Sequence, residues 1–399
     1  MKVPFFRPAI GEAEIAAVVE CMRSGWLTTG ALTRQFEEEF ARYVGAKHAI
    51  ALNSCTAALH LALEAVGVKR GDLVLVPTMT FAATAEVVRY FDAIPVFVDC
   101  ERETQCIDLA AAARTLERLK ANQPVAGLAP PYGPVKAIIP MHYGGQMADV
   151  DGVRELATRY GLAVIEDAAH TLPAYTRRDA TSPWRGVGTT ADITCFSFYA
   201  NKCITTGEGG MAVTDDAVYA ERMRLMSLHG MSKDAWKRYT SSGAWYYEVV
   251  APGFKYNLTD IASAIGRVQL ARADELWTMR KTVVAAYHEA LRGIPGIEVP
   301  TERPDRQHSW HLFSIRVDPA IWKQGRDAVI IALKERGVAT SVHWQPLHMQ
   351  PYYRETYKLA PEEFPVARDL YARLITLPLY PGMTTTDVEI VADALRASQ

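Results

Sequence analysis

Short runs rich in valine and isoleucine alternate with helical segments over the first two thirds of the chain, which limits the folds open to it. The run LVLVPTMTF at 73–81 precedes a helical pattern at 82–91, and KAIIPMHYGG at 136–145 precedes another at 149–161. A further apolar run, LAVIEDAA, follows at 162–169. Such alternation is typical of a parallel, doubly wound sheet with helices packed against it. We therefore predict a large α/β domain.

The last third of the chain has a different pattern, in which one long helical segment leads into a mixture of strands and helices. We predict a large domain over residues 1–265 and a small α+β domain over residues 266–399. The elements predicted here are the long helix at about 258–291, strands at 311–317 and 338–344, and helices at 326–337 and 385–397.

Two segments are predicted to be irregular surface excursions. Residues 121–135 contain four prolines, which break regular structure. Residues 176–190 are polar and contain glycine. Because this second segment lies between Asp167 and Lys202, which are discussed below, we expect it to border the functional site.

Charge and cysteine content exclude several classes of function. The chain has 43 basic and 45 acidic residues and a formal net charge of −2, with no basic stripe that would bind nucleic acid or an anionic membrane. Its six cysteines form no C-x-x-C pair. The N-terminus lacks the apolar stretch of a signal peptide, and no apolar run is long enough to span a membrane. We therefore predict a soluble, cytoplasmic protein.

The strongest chemical signal is a carboxylate and a lysine placed after two apolar strands. Asp167 ends the run VIED, so it is expected at the carboxyl end of a strand, where open α/β sheets bind ligands. A carboxylate buried there needs a cationic partner, and a protonated pyridine nitrogen would serve. Lys202 follows the run ITCFSF and precedes TTGEGG, whose glycines allow close backbone approach. Taken alone, Asp167 could equally cap a helix, and Lys202 could be a solvated surface lysine.

A weaker signal is the segment NSCTA at 53–57, which opens a helix after a strand. Backbone N–H groups at a helix N-terminus bind phosphate, although an ordinary N-cap is the commoner use of such residues. We interpret His142 as a structural histidine. His343 and His348 are spaced too loosely for a metal site. The aromatic cluster at 236–247 is open to two interpretations, stacking on a nucleotide base or packing at a subunit interface.

Taken together, the motifs resemble those of the DegT/StrS-type nucleotide-sugar aminotransferases, in the same order and over essentially the whole chain. Within that family, the segments at 5–14, 228–236, 249–260 and 310–318 are most similar to the UDP-4-amino-4-deoxy-L-arabinose aminotransferase branch. The motifs that carry the resemblance are SGWLTTG, NSCTAAL, VPTMTF, VIEDAAH, FSFYANKCITTGEGG and FKYNLTD.

The resemblance implies the aspartate-aminotransferase-like fold of pyridoxal-phosphate enzymes and a set of site residues. Lys202 would carry the cofactor as a Schiff base and later move a proton, and Asp167 would pair with the pyridine nitrogen. His170 would lie near the phenolic oxygen, and Phe81 would lie against the ring. Ser54, Cys55, Thr56 and Ser197 would hold the phosphate.

Two further roles are implied on the substrate side and at the subunit boundary. Thr29 would contact the sugar, and Asn257 would reach the phosphate from the partner subunit of a homodimer, which makes the active site intersubunit. The chain departs from the family at Cys55, where glycine or alanine is common, and its two excursions are longer than expected. A backbone contact to phosphate would survive the cysteine.

The implied reaction moves an amino group from L-glutamate to a nucleotide-linked 4-keto sugar, with pyridoxamine 5'-phosphate as the intermediate form of the cofactor. Such reactions serve lipopolysaccharide and other polysaccharide synthesis. The alternatives are transfer to a 3-keto sugar, a pyridoxamine-dependent dehydratase, and a non-catalytic sensor. Retention of Lys202 and Asp167 disfavours the last two. A nicotinamide oxidoreductase is disfavoured because no G-x-G-x-x-G follows the first strand.

Overall fold

The computed structural model describes residues 2–231 and 247–399, in which a seven-stranded sheet carries most of the first two thirds of the chain. The strands are β1 (His48–Leu52), β2 (Leu73–Pro77), β3 (Ile94–Val98), β4 (Val135–Ile138), β5 (Ala163–Asp167), β6 (Tyr175–Thr176), β7 (Arg185–Gly186), β8 (Ile193–Ser197), β9 (Gly210–Thr214), β10 (Ile297–Glu298), β11 (Arg306–Gln307), β12 (Phe313–Val317) and β13 (Leu374–Leu377). The helices are α1 (Glu12–Ser24), α2 (Ala31–Val44), α3 (Cys55–Ala65), α4 (Ala82–Arg89), α5 (Leu109–Lys120), α6 (Val150–Tyr160), α7 (Ala217–Met226), α8 (Asp260–Ala271), α9 (Ala273–Ala290), α10 (Gly325–Glu335), α11 (Pro351–Tyr357), α12 (Pro365–Arg373) and α13 (Thr385–Arg396).

The large sheet has the strand order β1-β9-β8-β5-β4-β2-β3. Strands β8, β5, β4, β2 and β3 run parallel, whereas β9 is antiparallel to both β1 and β8. The prediction of a mostly parallel α/β sheet is confirmed. Because the parallel strands end at the same edge, the residues that follow β2, β5 and β8 are brought together there.

Strand β2 shows why these runs form buried strands. All five of its residues are buried. Val74 and Val76 pack into the core that contains α3, whereas Leu73 and Leu75 pack into the core that contains α5 and α6. Since successive side chains of a strand point to opposite faces, a continuous apolar run fits only a sheet covered on both sides.

The C-terminal part forms its own core around the antiparallel sheet β10-β12-β13. Tyr287 of α9 stacks on Phe313 of β12 with ring centroids 4.7 Å apart, and Trp322 is fully buried beside them. The division at residues 265 and 266 stays a prediction. Within residues 2–231 and 247–399, no helix is long and apolar enough to cross a membrane.

The predicted long helix is two helices. Helix α8 ends at Ala271 and α9 begins at Ala273, because Arg272 leaves helical geometry with φ −103° and ψ 4°. The Arg272 guanidinium donates to Glu14 at 2.8 Å, so the break ties α1 to the helix pair. No glycine or proline marks the position, and the sequence pattern therefore could not show it.

Two further predictions are corrected. Residues 338–344 do not form a strand; Ser341 alone pairs with Thr376 of β13 before the chain turns towards the large sheet. The polar segment 176–190 is not wholly irregular, because it contributes to β6 and β7, which form a small sheet with β11. Both errors have the same cause: whether a segment becomes a strand depends on partners far away in sequence, which the local pattern does not show. Residues 121–135 are irregular as predicted, apart from one isolated bridge and Val135, which begins β4.

Buried Asp260 fixes the loop that precedes α2. Its carboxylate accepts hydrogen bonds from the backbone N–H groups of Gly30 at 2.7 Å, Leu32 at 3.2 Å and Thr33 at 2.9 Å. A carboxylate at a helix N-terminus satisfies donors that otherwise have no partner. The start of α8 therefore holds the segment that contains Thr29.

Candidate active site

The carboxyl edge of the large sheet gathers chemical groups from separate strands. Asp167 ends β5, Ser197 ends β8, and Thr80 and Phe81 follow β2. Lys202 lies in the loop after β8. Because β5 lies between β4 and β8, the residues that follow these strands lie around the carboxyl end of β5.

Asp167 is a buried carboxylate, with 3% of its surface exposed. Its Oδ2 accepts a hydrogen bond from the Thr84 hydroxyl at 2.7 Å, and its Oδ1 accepts one from the Ala169 N–H at 3.1 Å. Burial raises the pKa of Asp167, and these hydrogen bonds oppose that rise. None of the salt bridges in the described part of the chain involves Asp167. The environment is therefore suited to a cationic ligand atom.

Lys202 lies close enough to Asp167 for their charges to interact. Its backbone N–H donates to the Tyr199 carbonyl at 2.9 Å, in a turn that follows β8. Burial lowers the pKa of Lys202, and the negative charge of Asp167 opposes part of that effect. A lysine with a lowered pKa holds more neutral amine near pH 7, which is the form that attacks a carbonyl.

His170 is a buried neutral imidazole beside these two groups. Its Nδ1 accepts a hydrogen bond from the Gly144 N–H at 3.2 Å, so the ring hydrogen is assigned to Nε2. Burial, together with the positive charge of Lys202, holds the pKa of His170 well below its ordinary range. The ring is therefore suited to donate a hydrogen bond from Nε2 rather than to carry charge.

The N-terminus of α3, where a phosphate site is predicted, begins with a serine N-cap. Ser54 is the N-cap, and its hydroxyl accepts from the Ala57 N–H at 3.0 Å, while Cys55 and Thr56 begin the helix. The Cys55 thiol points to the Cys195 carbonyl at 3.5 Å, so the backbone of Cys55 is its group available to an anion. Glycine at 210 lets β9 approach, because a Cβ there would lie 2.4 Å from the Ser54 carbonyl carbon.

Ser197 and Phe81 complete the edge. The Ser197 hydroxyl lies 3.4 Å from the Tyr199 N–H, which donates to it. Phe81 is the N-cap residue of α4, and 57% of its surface is exposed. An exposed phenyl ring at a strand end is available to cover a planar ligand.

Thr29 and Asn257 contact each other, and Asn257 pairs with Leu52 at the end of β1, directly before the α3 N-terminus. The Asn257 amide donates to the Thr29 hydroxyl at 2.6 Å, and both residues line a groove of about 1530 Å³ formed by α1, α2 and α8. Neither Lys202 nor Asp167 lines this groove. One chain therefore brings Thr29 and Asn257 together in a groove that the lysine and the aspartate do not line.

Two residues at the edge were missed by the sequence interpretation. Thr84 was missed because only the packing of α4 against β5 shows its contact with Asp167. Trp344 stacks on His170 with centroids 5.0 Å apart and lies 6.2 Å from the Phe81 ring. It comes from the segment wrongly predicted as a strand. The sequence signal that could have identified Thr84 is the pair of threonines four residues apart, at 80 and 84, at the start of a helix.

The other histidines have structural partners. His142 Nδ1 accepts from the Ala148 N–H at 3.1 Å, and its Nε2 lies 3.5 Å from the buried Glu166 carboxylate. His343 contacts the Thr376 hydroxyl at 3.0 Å, and His348 contacts that of Thr78 at 2.7 Å. No metal-binding cluster occurs in the described residues. Residues 236–246 of the aromatic cluster lie outside those residues.

These groups fit the cofactor of a pyridoxal-phosphate enzyme. Asp167 is a buried carboxylate without a salt-bridge partner among the described residues, which suits a protonated ring nitrogen. The α3 N-terminus suits a phosphate, and Lys202 suits an aldehyde.

Comparison with known proteins agrees with this interpretation. The sequence model of the DegT/DnrJ/EryC1/StrS aminotransferase family matches residues 8–396. The spore coat polysaccharide biosynthesis protein SpsC of Bacillus subtilis is 44% identical over 395 residues, covering 99% of this chain and 96% of its own. The putative sugar aminotransferase Spr1654 of Streptococcus pneumoniae, solved in its PLP form, has a TM-score of 0.86 at 30% identity, covering 99% and 98%. DesI, solved with its TDP-sugar product, has a TM-score of 0.81 at 29% identity, covering 98% and 91%.

The chain belongs to the DegT/DnrJ/EryC1/StrS aminotransferase family. It is a pyridoxal-phosphate-dependent sugar aminotransferase with the fold of its structural neighbours.

The lowered pKa of Lys202 predicts how the apoprotein takes up its cofactor. The rate of pyridoxal phosphate capture should rise with pH and level off clearly below 10.5, the ordinary value for lysine, because burial favours the neutral amine. Stopped-flow absorbance of apoprotein mixed with cofactor measures this rate. A Lys202→Ala variant gives the background, and a plateau only at or above pH 10.5 would contradict the assignment.

Proposed function

We propose that this enzyme transfers an amino group from L-glutamate to the C4 carbonyl of a nucleotide-linked keto sugar, giving a 4-amino-4-deoxy sugar nucleotide. The observation that carries the amino-transfer chemistry is the cluster at the strand ends of the buried Asp167 and His170 with the partly buried Lys202. The TDP-sugar product in the DesI structure supports a nucleotide-linked sugar. The sequence likeness to the 4-amino-arabinose branch supports transfer at C4.

Pyridoxal phosphate, when bound, supplies an electron sink for the carbanion formed when a substrate C–H bond is broken. Asp167 would keep the ring nitrogen protonated, which the buried position of its carboxylate favours. The Nε2–H of His170 would donate to the phenolic oxygen. Ser54, Ser197 and the N–H groups of Cys55 and Thr56 would hold the phosphate.

Lys202 would act twice. Its amine would hold the cofactor between turnovers and would then move a proton at the reacting carbon of each substrate. General base catalysis is most effective when the pKa of the base lies near the working pH. Burial lowers the pKa of Lys202 in that direction. Phe81 and Trp344 would flank the ring and keep water from the reacting face.

We propose a homodimer in which a second copy covers the groove of α1, α2 and α8. Trp26, just after α1, lines this groove and keeps 39% of its surface exposed. Exposed apolar surface of this kind marks an interaction site. In this arrangement Asn257 would reach the phosphate held by the partner subunit, and Thr29 would contact the sugar.

The relationship to SpsC, named for spore coat polysaccharide biosynthesis, supports a place for the product in polysaccharide synthesis. Use of the product in lipopolysaccharide and a cytoplasmic location stay predictions.

The amino donor and acceptor are tested by absorption spectroscopy. L-glutamate should convert the band of the lysine-bound cofactor to that of the pyridoxamine form, and a UDP- or TDP-linked 4-keto sugar should restore it. The Lys202→Ala variant should show neither change. If glutamate leaves the spectrum unchanged while another amino acid converts it, the donor assignment is wrong. If 3-keto but not 4-keto sugars restore the band, the C4 assignment is wrong.

The intersubunit site is tested by heterodimers purified through two different affinity tags. A dimer of one Lys202→Ala chain and one Asn257→Ala chain keeps one intact site, so it should have roughly half of the wild-type activity. Each homodimer of these variants should be strongly impaired.

The matched control pairs Lys202→Ala with Asp167→Ala, which act in the same chain. Neither site of that heterodimer is intact, so no activity should return. If the first heterodimer also fails to recover activity, Asn257 does not act on the partner's site.

A further inference from the structure

A chain of buried hydroxyl groups ends at the Asp167 carboxylate. Thr84 Oγ1 lies 2.7 Å from Asp167 Oδ2, and Thr80 Oγ1 lies 2.6 Å from Thr84 Oγ1. Both threonines are fully buried, at 0% exposure. Thr80 follows β2, and Thr84 lies in the first turn of α4, so the chain reaches Asp167 from across the end of β4.

The direction of these hydrogen bonds is determined by the donors and acceptors present. An ionised carboxylate only accepts, so Thr84 must donate to Asp167. A hydroxyl has one hydrogen, so Thr80 must donate to Thr84. Both hydroxyl hydrogens therefore point towards the carboxylate, and the Ala169 N–H donates to its other oxygen. A protonated Asp167 would place its own hydrogen against this arrangement at Oδ2.

The other groups that interact with Asp167 are less suited to keeping its carboxylate ionised. Burial raises the pKa of the Cys55 and Cys195 thiols, so these stay neutral, and His142 is paired with Glu166. Lys202 is the amine that binds the cofactor. Among the described residues, the titratable groups whose charges interact with Asp167 are Lys202 from the loop after β8, His142 after β4, Cys55 on α3 and Cys195 on β8, and the neutral His170 lies beside them.

We propose that Thr84 is a positioning residue, oriented by Thr80, that keeps Asp167 ionised and directed at the cofactor's ring nitrogen. Hydrogen bonds to a charged group stabilise the charged form, and successive hydrogen bonds polarise one another. The proton on the ring nitrogen is then held more firmly. This inference rests on the assignment of Asp167 and the cofactor, and not on the identity of the sugar or the amino donor.

The test is a pH titration of the visible absorption of the cofactor-loaded enzyme. In Thr84→Val the ring nitrogen should lose its proton more readily, and the nitrogen that joins Lys202 to the cofactor should then keep its proton to higher pH. The titration midpoint should therefore move upwards. Turnover with glutamate should fall by about tenfold, as expected for the loss of ~1.4 kcal/mol, with KM little changed.

Three further variants separate positioning from structure. Thr84→Ser keeps the hydroxyl, so its titration midpoint should equal that of the wild type. Thr80→Val should shift the midpoint in the same direction but less. Thr78→Val is the matched control, because Thr78 is equally buried and its hydroxyl bonds to His348 at 2.7 Å, away from Asp167. It should leave the midpoint unchanged.

A Thr84→Val enzyme that titrates at the wild-type pH would overturn the proposal. So would a Thr78→Val enzyme that shifts as far as Thr84→Val. If Thr84→Val does not fold or bind cofactor, the decision passes to Thr80→Val, whose unchanged midpoint would overturn the role of the hydroxyl chain. Because the titration contains no sugar and no amino donor, its result is independent of the proposed substrates.

Discussion

The site depends on one carboxylate that the fold buries at the end of a parallel strand. Asp167 is 3% exposed, and the described residues offer it hydrogen bonds but no salt bridge. Burying a charge in this way costs free energy unless a cation joins it. The protonated ring nitrogen of pyridoxal phosphate is such a cation, and in the proposed site the carboxylate would in turn maintain the electron-withdrawing form of the ring. The same buried surroundings lower the pKa of Lys202 and keep His170 neutral.

The sheet order converts this local requirement into a site. Strand β5 lies between β8, whose following loop carries Lys202, and β4, beyond which β2 leads into Thr80 and Thr84. Residues of the C-terminal part reach the same edge, because Leu347 N–H donates to the Thr78 carbonyl at 2.9 Å and Trp344 stacks on His170. Thr29 and Asn257 line a groove that neither Lys202 nor Asp167 lines, and in the proposed homodimer they would serve the site of the partner subunit.

Sequence patterns predicted the parallel sheet and the strand-end positions of Asp167 and Lys202, because continuous apolar runs and the residues that follow them are local features. Contacts made by distant segments were not predictable in this way. Thr84 meets Asp167 only after β4 is placed between β2 and β5. Trp344 was hidden in a run of β-branched residues that pairs with β13 at Ser341 alone. The break at Arg272 depends on its contact with Glu14, some 258 positions away.

The most direct test of this account is to identify the lysine that holds the cofactor. The cofactor-loaded enzyme would be reduced with borohydride, digested and analysed by mass spectrometry. The account predicts the added pyridoxyl mass on the peptide that contains Lys202, and an unmodified peptide for Lys255, which is exposed beside Asn257. Label on another lysine, or cofactor-loaded protein without label at Lys202, would contradict the central claim.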